Sequence, residues 1–214
     1  MTTVPFCLAS ASPARLTTFR HAGVEPHVVV SGVDEDAAVA DATERLGELG
    51  SDDIALLLAR AKCEDVAARL EEEEWDGLVL GCDSVLEFDG RTYGKPVDAA
   101  HAASRWQGMR GRSGVLHTGH WVIDLRDEGT GATLGAVCST TVHFADLSDE
   151  EIEAYVATGE PLKAAGAFTI DGIGGPYVTG IEGDHHNVVG VSLPLVRELL
   201  SEIDVPWHHL RQDR

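Results

Sequence analysis

Residues 7–16, which read CLASASPARL, constrain the fold more than any other part of the sequence. They begin as a short apolar run that suits a buried strand, and small residues follow. Ser12 and Pro13 are typical of a helix N-cap and of the first helical position. A strand that enters a helix through small residues exposes backbone N–H groups at the positive end of the helix dipole, which favours a bound anion. Ser10, Ser12 and Arg15 are therefore candidate ligands of an anion. The alternative is an ordinary strand-to-helix turn with a solvated arginine.

The composition is that of a folded globular chain. Hydrophobic residues make up 43% and charged residues 24% of the 214 positions, so residues 1–214 are predicted to form one domain of two lobes. The tail from about Asp204 is predicted to be disordered or loosely packed. No apolar stretch reaches the ~20 residues of a membrane span, and the first residues do not resemble a signal peptide. The four cysteines are widely spread, which is typical of reduced thiols in the cytoplasm.

The charge balance limits the possible partners. The chain has 36 Asp and Glu against 16 Lys and Arg, a formal net charge of −20. This balance argues against nucleic acid or a membrane surface as the main partner. A small anionic substrate would be repelled at long range, so holding it would require a metal ion and a few well-positioned cations.

Two carboxylates follow predicted strands. Residues 26–31 form a β-branched run that predicts a strand, and Glu35 lies in the acidic turn after it. Asp83 comes directly after Gly81 and Cys82, which end the apolar run at residues 78–82. Burial of an unpaired carboxylate there would be costly, so a metal ion, a cation or a hydrogen-bond network is expected as its partner. Because ligands of open α/β sheets bind at the carboxyl ends of strands, both are candidate site residues. The alternative for Glu35 is a solvated acidic turn.

Two lysines occupy positions that suit a cleft. Lys62 lies on or beside the apolar stripe of a helix that is predicted to begin at Ser51. Lys95 lies in a constrained turn between Gly94 and Pro96. The ordinary interpretations are a lysine that extends along the edge of the core and a lysine in a surface loop. The alternative is that each lysine contacts an anion.

Four short motifs occur in a characteristic order: LASASP at residues 8–13, GCDS at 81–84, GKP at 94–96 and GVSLP at 190–194. With these motifs the chain resembles the Maf family over about residues 8–200. That family comprises nucleoside triphosphate pyrophosphatases of the inosine-triphosphatase-like fold. The resemblance implies an α/β fold in which a long, mixed, twisted sheet is flanked by helices and two lobes surround a central cleft.

The resemblance also implies a reaction and a set of site residues. The expected reaction is metal-dependent hydrolysis of a nucleoside triphosphate to a nucleoside monophosphate and pyrophosphate, which cleans the nucleotide pool. The positions that match the family's catalytic and phosphate-binding residues are Asp83, Glu35, Lys62, Lys95, Ser10 and Arg15. Asp83 corresponds to the proton acceptor, and Asp83 and Glu35 are predicted to bind Mg²⁺ or Mn²⁺. A homodimer is a further implication.

The chain departs from the family pattern at positions that bear on the substrate. Ala14 stands where many relatives have an arginine, and Lys163-Ala164 stands where many have Asp-Lys. Asp171 stands where the uridine- and thymidine-preferring subclass has Gln, whereas the subclass that prefers 7-methylguanosine triphosphate has an acidic residue there. Because a carboxylate only accepts hydrogen bonds, Asp171 suits the N1–H and amino groups of guanine. A purine or modified purine is the predicted base.

Two other functions are compatible with the sequence. Maf proteins are also associated with arrest of septum formation, so a non-enzymatic nucleotide-binding regulator is the main alternative. An acidic metal site argues for the enzyme, since a regulator that only binds nucleotide does not need one. The second alternative is a hydrolase of the same fold that acts on deaminated purine nucleotides.

Overall fold

The computed structural model describes residues 3–211, which form one seven-stranded sheet and the helices that flank it. The strands are β1 (Phe6–Ala9), β2 (His27–Val28), β3 (Leu78–Phe88), β4 (Arg91–Tyr93), β5 (Ser113–Asp124), β6 (Thr133–Phe144) and β7 (Val178–Glu182). The α-helices are α1 (Pro13–His21), α2 (Glu35–Leu46), α3 (Ser51–Glu72), α4 (Ala99–Met109), α5 (Asp149–Ala157), α6 (His185–Val189) and α7 (Leu193–Glu202). Short 3₁₀ turns connect several of these elements.

The sheet is mixed, as predicted. Its strand order is β2-β1-β3-β5-β6-β7, and β4 pairs with the end of β3. β2, β1 and β3 are parallel because helices connect them, whereas β3 to β7 pair antiparallel through hairpins and longer connections. Asp89 and Gly90 both have positive φ, at 51° and 67°. These angles match the tight turn that an Asp-Gly pair predicts.

β3 contributes to two buried clusters on one side of the sheet. Leu80 and Cys82 pack in the first cluster with side chains of α1 and α7, and this cluster defines lobe 1. Leu86 and Phe88 pack in the second with side chains of α4 and α5, which defines lobe 2. Ser84 lies between the two clusters on the same face, because side chains alternate along a strand. The two clusters correspond to the predicted lobes.

Helix α3 packs against the other face of the sheet, and its backbone lies very close to the backbone of the strands. A Cβ atom on Gly81 would lie 2.2 Å from the carbonyl oxygen of Ala59, and a Cβ on Gly119 would lie 2.2 Å from that of Ala55. Only glycine permits this contact between helix and strand backbones. Asp83 is on the same face as Gly81 and pairs directly with Gly119, so it lies where the helix is closest.

Two predictions about local structure were wrong. The predicted strand at residues 26–31 is reduced to His27–Val28, because this strand is at the exposed edge of the sheet and pairs only with Cys7 and Leu8. The tail from about Asp204 is not loosely packed up to residue 211. Val205 and Leu210 are 1% and 2% exposed and belong to the core of lobe 1. The last three residues lie outside the described part of the chain.

Among the described residues, no helix has both the length and the apolar composition needed to cross a bilayer.

The contact at Gly81 predicts a large effect of a single methyl group. Gly81→Ala should lower the free energy of unfolding by about 1–3 kcal/mol or more, because α3 must move away from the sheet. Gly108→Ala is the matched control, since Gly108 lies in α4 with nothing within 4 Å of the position that a Cβ atom would occupy. The control should be neutral or gain about 0.5–1 kcal/mol. Urea unfolding checks both variants, and equal stability of the two would contradict the close-contact argument.

Candidate active site

Lys62 joins Asp83 and Glu35 in one cluster, called here the carboxylate–lysine cluster. Its Nζ atom lies 2.5 Å from Asp83 Oδ1 and 2.7 Å from Glu35 Oε1. Lys62 extends from α3, Asp83 comes from the middle of β3, and Glu35 is the first residue of α2. Three elements distant in sequence therefore converge on one ammonium group. Lys62 thus pairs with two carboxylates of the chain itself, and its contact with a phosphate stays a prediction.

The two carboxylates of the cluster differ in environment. Asp83 is 7% exposed, whereas the side chain of Glu35 is 47% exposed. Burial raises the pKa of the Asp83 carboxyl, and the positive charges of Lys62 and Arg15 oppose that rise. The cluster thus has an inner carboxylate that is hard to ionise and an outer one that contacts solvent.

The spacing of the cluster fits one divalent cation. The two carboxylate oxygens lie no more than about 5.2 Å apart, the sum of their distances to Lys62 Nζ. A bound Mg²⁺ would hold two such oxygens at most about 4.2 Å apart, which small side-chain movements allow. Within residues 3–211, no three His, Cys, Asp or Glu side chains are grouped as a metal site. Two carboxylates suit a Mg²⁺ that completes its shell with water and phosphate oxygens.

Arg15 is buried, with 8% exposure, and makes no ion pair with the described carboxylates. Its Nε donates to the carbonyl oxygen of Gly190 at 2.7 Å. Its Nη1 donates to Ser10 Oγ at 3.1 Å, and its Nη2 donates to Ser84 Oγ at 3.0 Å. Arg15 therefore links the N-terminal loop, the middle of β3 and the segment between α6 and α7. The alternative of a solvated Arg15 is wrong.

The N-terminal loop has the geometry expected where a strand leads into a helix. Ser12 is the N-cap of α1, and its Oγ accepts from the backbone N–H of Arg15 at 3.4 Å. Ser10 is buried and accepts from the backbone N–H of Ser12 at 3.2 Å. A guanidinium has five N–H groups, and Arg15 uses three of them on the atoms named above. The loop thus combines a buried positive charge with the N-terminus of α1.

A chain of hydroxyl groups was not predicted. Ser84 Oγ contacts Thr118 Oγ1 at 2.9 Å, and Thr118 Oγ1 donates to the carbonyl oxygen of Asn187 at 3.3 Å. Asn187 in turn donates from Nδ2 to Thr140 Oγ1 at 3.1 Å. The only sequence signal was the presence of threonines within long predicted strands. These hydrogen bonds hold α6 against the sheet and orient the Ser84 hydroxyl, which accepts from Arg15 Nη2.

Two of the predicted site residues belong neither to the carboxylate–lysine cluster nor to the hydrogen-bonded N-terminal loop. Lys95 and Asp171 are exposed, and neither side chain has a hydrogen bond or ion pair within residues 3–211. The turn that carries Lys95 is nevertheless fixed, because the carbonyl oxygen of Gly94 accepts from the backbone N–H of Gly166 and from Arg105 Nη1. Within the described residues, Lys95 is therefore a free cation on an anchored turn.

Glu160 anchors the loop that carries Asp171, a role that no sequence pattern had indicated. Its carboxylate accepts from Thr169 Oγ1 at 2.6 Å and from the backbone N–H groups of Ile173 and Gly174 at 2.9 and 2.8 Å. Burial would raise the pKa of Glu160, but these hydrogen bonds outweigh it and lower the pKa. The loop is thus organised around one ionised carboxylate.

Comparison with known proteins identifies the family. A family model described as "Maf-like protein" matches residues 5–203. A relative from Salinispora tropica is 56% identical over 200 residues, which cover 93% of this chain and 84% of the relative. A relative from Leifsonia xyli subsp. xyli is 50% identical over 203 residues, which cover 95% and 94%. Both relatives are named nucleoside triphosphate pyrophosphatase.

The mixed α/β fold and these matches define the class, and the chain belongs to the Maf-like family. The resemblance inferred from the four motifs is thus confirmed. Among solved structures, the nucleoside-triphosphatase / dITP/XTP pyrophosphatase of Mycobacterium abscessus covers 94% of both chains at 13% identity, with a TM-score of 0.36. That similarity is too low to carry an argument.

The carboxylate–lysine cluster predicts a pH-dependent loss of stability in Lys62→Met. Without the ammonium group, Asp83 is a buried and unpaired charge, so the free energy of unfolding at pH 8 should fall by about 3–5 kcal/mol. Protonation of Asp83 removes that charge. The loss should therefore shrink as the pH falls through the raised pKa of Asp83.

Urea unfolding of the wild type and the variant at pH 8 and pH 5 measures this dependence. Lys163→Met is the control, because Lys163 takes no part in the cluster and should show little change at either pH. If Lys62→Met lowered the free energy of unfolding equally at both pH values, the cause would be lost packing rather than an unpaired charge.

Proposed function

We propose that the chain hydrolyses a nucleoside triphosphate between its α- and β-phosphates, releasing a nucleoside monophosphate and pyrophosphate. Membership of the Maf-like family and relatives named nucleoside triphosphate pyrophosphatase support this proposal. The observation that carries it is the convergence of Lys62 on Asp83 and Glu35, on the sheet between the two lobes. This cluster offers a buried base, an outer carboxylate and a cation within a few ångströms of one another.

Asp83 acts as the proton acceptor in this proposal. Water attacks the α-phosphorus, its proton passes to an Asp83 carboxylate oxygen, and the bond to the bridging oxygen of pyrophosphate breaks. A carboxylate accepts a proton more readily when its pKa is raised towards neutrality, and burial raises the pKa of Asp83. Lys62 opposes the rise in the Asp83 pKa caused by burial and fixes the orientation of the Asp83 carboxylate.

The phosphate charge is proposed to be balanced by Lys62, by Arg15 with the N-terminus of α1, and by Lys95. Lys62 is 2.5 Å from Asp83, so the phosphate next to the attacked bond lies within its reach. Arg15 and the N-terminus of α1 provide the positive charge of the N-terminal loop. Lys95 is free of protein partners within residues 3–211 and is proposed to bind the leaving pyrophosphate.

Asp83 and Glu35 are proposed to hold Mg²⁺ or Mn²⁺, whose chemistry is to neutralise charge on the triphosphate and orient its oxygens. The exposed Glu35 side chain suits a carboxylate that binds an ion delivered together with the nucleotide. Lys62 can then turn from Glu35 towards the phosphates while it stays near Asp83.

The direct test is pyrophosphate release by Asp83→Asn with nucleoside triphosphates and Mg²⁺ or Mn²⁺. The amide cannot accept the proton, so kcat should fall by about 10²-fold or more, whereas the fold should persist because Lys62 still pairs with Glu35. Glu64→Gln is the control and should retain wild-type kcat, since Glu64 pairs with Arg60 on the exposed side of α3.

Two outcomes would contradict the proposal. Near-normal activity of Asp83→Asn would remove Asp83 from the reaction. Nucleotide binding by the wild type without pyrophosphate release from any substrate would favour the regulator, the main alternative function.

The proposed base is guanine or a modified guanine, and Asp171 is proposed to accept hydrogen bonds from its N1–H and amino groups. The loop that carries Asp171 is anchored by Glu160, which supports a defined position for this exposed carboxylate. In Asp171→Gln, the ratio of kcat/KM for GTP or 7-methyl-GTP to that for UTP or dTTP should fall about tenfold or more.

Steady-state kinetics with the four nucleotides measures this ratio. Asp127→Gln, an exposed change in the connection between β5 and β6, is the control and should not alter it. Wild-type hydrolysis of dTTP and UTP much faster than of any guanine nucleotide would refute the base assignment.

The physiological role that follows is removal of unwanted nucleotides from the free pool. Such a role requires no nucleic-acid or membrane partner, in keeping with the net charge of −20. A cytoplasmic location and a homodimer stay predictions.

A further inference from the structure

A cavity of about 240 Å³ lies between β4 and α4, apart from the carboxylate–lysine cluster. Arg91 and Tyr93 of β4 line one side, and His101, Arg105 and Gly108 of α4 line the other. No Asp or Glu is among the described residues that line it. The sites described above do not use this cavity.

The charge around the cavity has the opposite sign to that of the whole molecule. Residues 90–113 contain five Arg or Lys and a single Asp, although the chain carries a net charge of −20. Arg110 and Arg112 are paired with Asp149 and Asp89. Arg91 and Arg105 make no ion pair within residues 3–211. The cavity therefore concentrates unneutralised positive charge on an acidic protein.

Arg105 is held in position by three neighbours. Its Nε donates to His101 Nε2 at 3.3 Å, and its Nη1 donates to the carbonyl oxygen of Gly94 at 2.5 Å. Its guanidinium carbon lies 5.0 Å from the centre of the Tyr93 ring. Burial lowers the pKa of Arg105, with no described carboxylate to offset it. Its Nη2 has no hydrogen bond within the described residues, so a fixed pair of N–H donors is available to a ligand.

We propose that this cavity, which both Arg91 and Arg105 line, is a second anion site that binds a small phosphate-type oxyanion. Guanidinium groups match phosphate oxygens with two parallel hydrogen bonds. The volume is below the ~300–1,000 Å³ of pockets for drug-sized ligands, which suits inorganic pyrophosphate or the phosphate of a nucleoside monophosphate. The site contains no residue of the proposed catalytic machinery, so it does not depend on the proposed function.

The test is calorimetric titration of the full chain at low ionic strength with inorganic pyrophosphate and, separately, with a nucleoside monophosphate. Divalent metal ions are left out, because anion binding at the acidic carboxylate–lysine cluster is proposed to require one. We expect one site per chain for at least one of the two probes, and the probe that binds identifies the source of the anion. Binding of neither probe would overturn the proposal.

Three variants locate the binding. Arg91→Gln combined with Arg105→Gln should weaken it about tenfold or more, because charge-assisted hydrogen bonds are lost. Gly108→Leu keeps both arginines and fills the cavity, so it should weaken binding as well, even if the double variant fails to fold. Arg197→Gln, which removes an arginine from a separate cavity beside α7, should leave binding unchanged. Unchanged binding in Gly108→Leu would overturn the proposal.

Discussion

The contact between the backbone of α3 and the sheet determines the geometry of the candidate active site. Gly81 and Gly119 let the helix approach until carbonyl oxygens of Ala55 and Ala59 lie where side chains would otherwise be. Lys62 follows Ala59 by almost one turn and so reaches Asp83. A bulkier residue at either glycine would lift the helix and separate the lysine from the carboxylate. The polar cluster is thus a product of the closest packing between helix and sheet.

Arg15 organises the opposite face of the sheet. A buried guanidinium is tolerated here because it is surrounded by hydroxyl and carbonyl oxygens rather than by apolar side chains. Its charge reaches Asp83 through the sheet, where it helps Lys62 to oppose the rise in the Asp83 pKa caused by burial. Asp83 therefore lies between two cations that come from different faces and from distant parts of the chain.

The sequence predicted those elements whose residues carry local signals. Ser12 and Pro13 identified the start of α1, and Asp89-Gly90 identified the β3–β4 turn. The costly position of Asp83 indicated a partner that could be a metal ion, a cation or a hydrogen-bond network, and the structure shows the cation Lys62. The four motifs identified the family because they occur in a fixed order in segments spread from residue 8 to residue 194. These signals depend on a few neighbouring residues, which is why a single sequence was sufficient for them.

Other features depend on tertiary contacts that no local pattern encodes. The packing of Val205 and Leu210 in lobe 1 was not predicted, because an apolar residue in a terminal tail has the same pattern whether or not a core lies beside it. The role of Glu160 was hidden for the same reason, since its partners lie 9 to 14 residues later in the chain. The shortening of β2 follows from its position at the edge of the sheet, which sequence alone does not give.

Because β3 belongs to both lobes, it also determines how the molecule unfolds. Its first half is part of the core of lobe 1, and its second half is part of the core of lobe 2. Neither lobe can unfold without withdrawing a strand from the other, so the lobes form one cooperative unit rather than two independent ones. Asp83 lies at the centre of that unit, where local opening is as costly as global unfolding. The position of Asp83 is therefore coupled to the folding of both lobes.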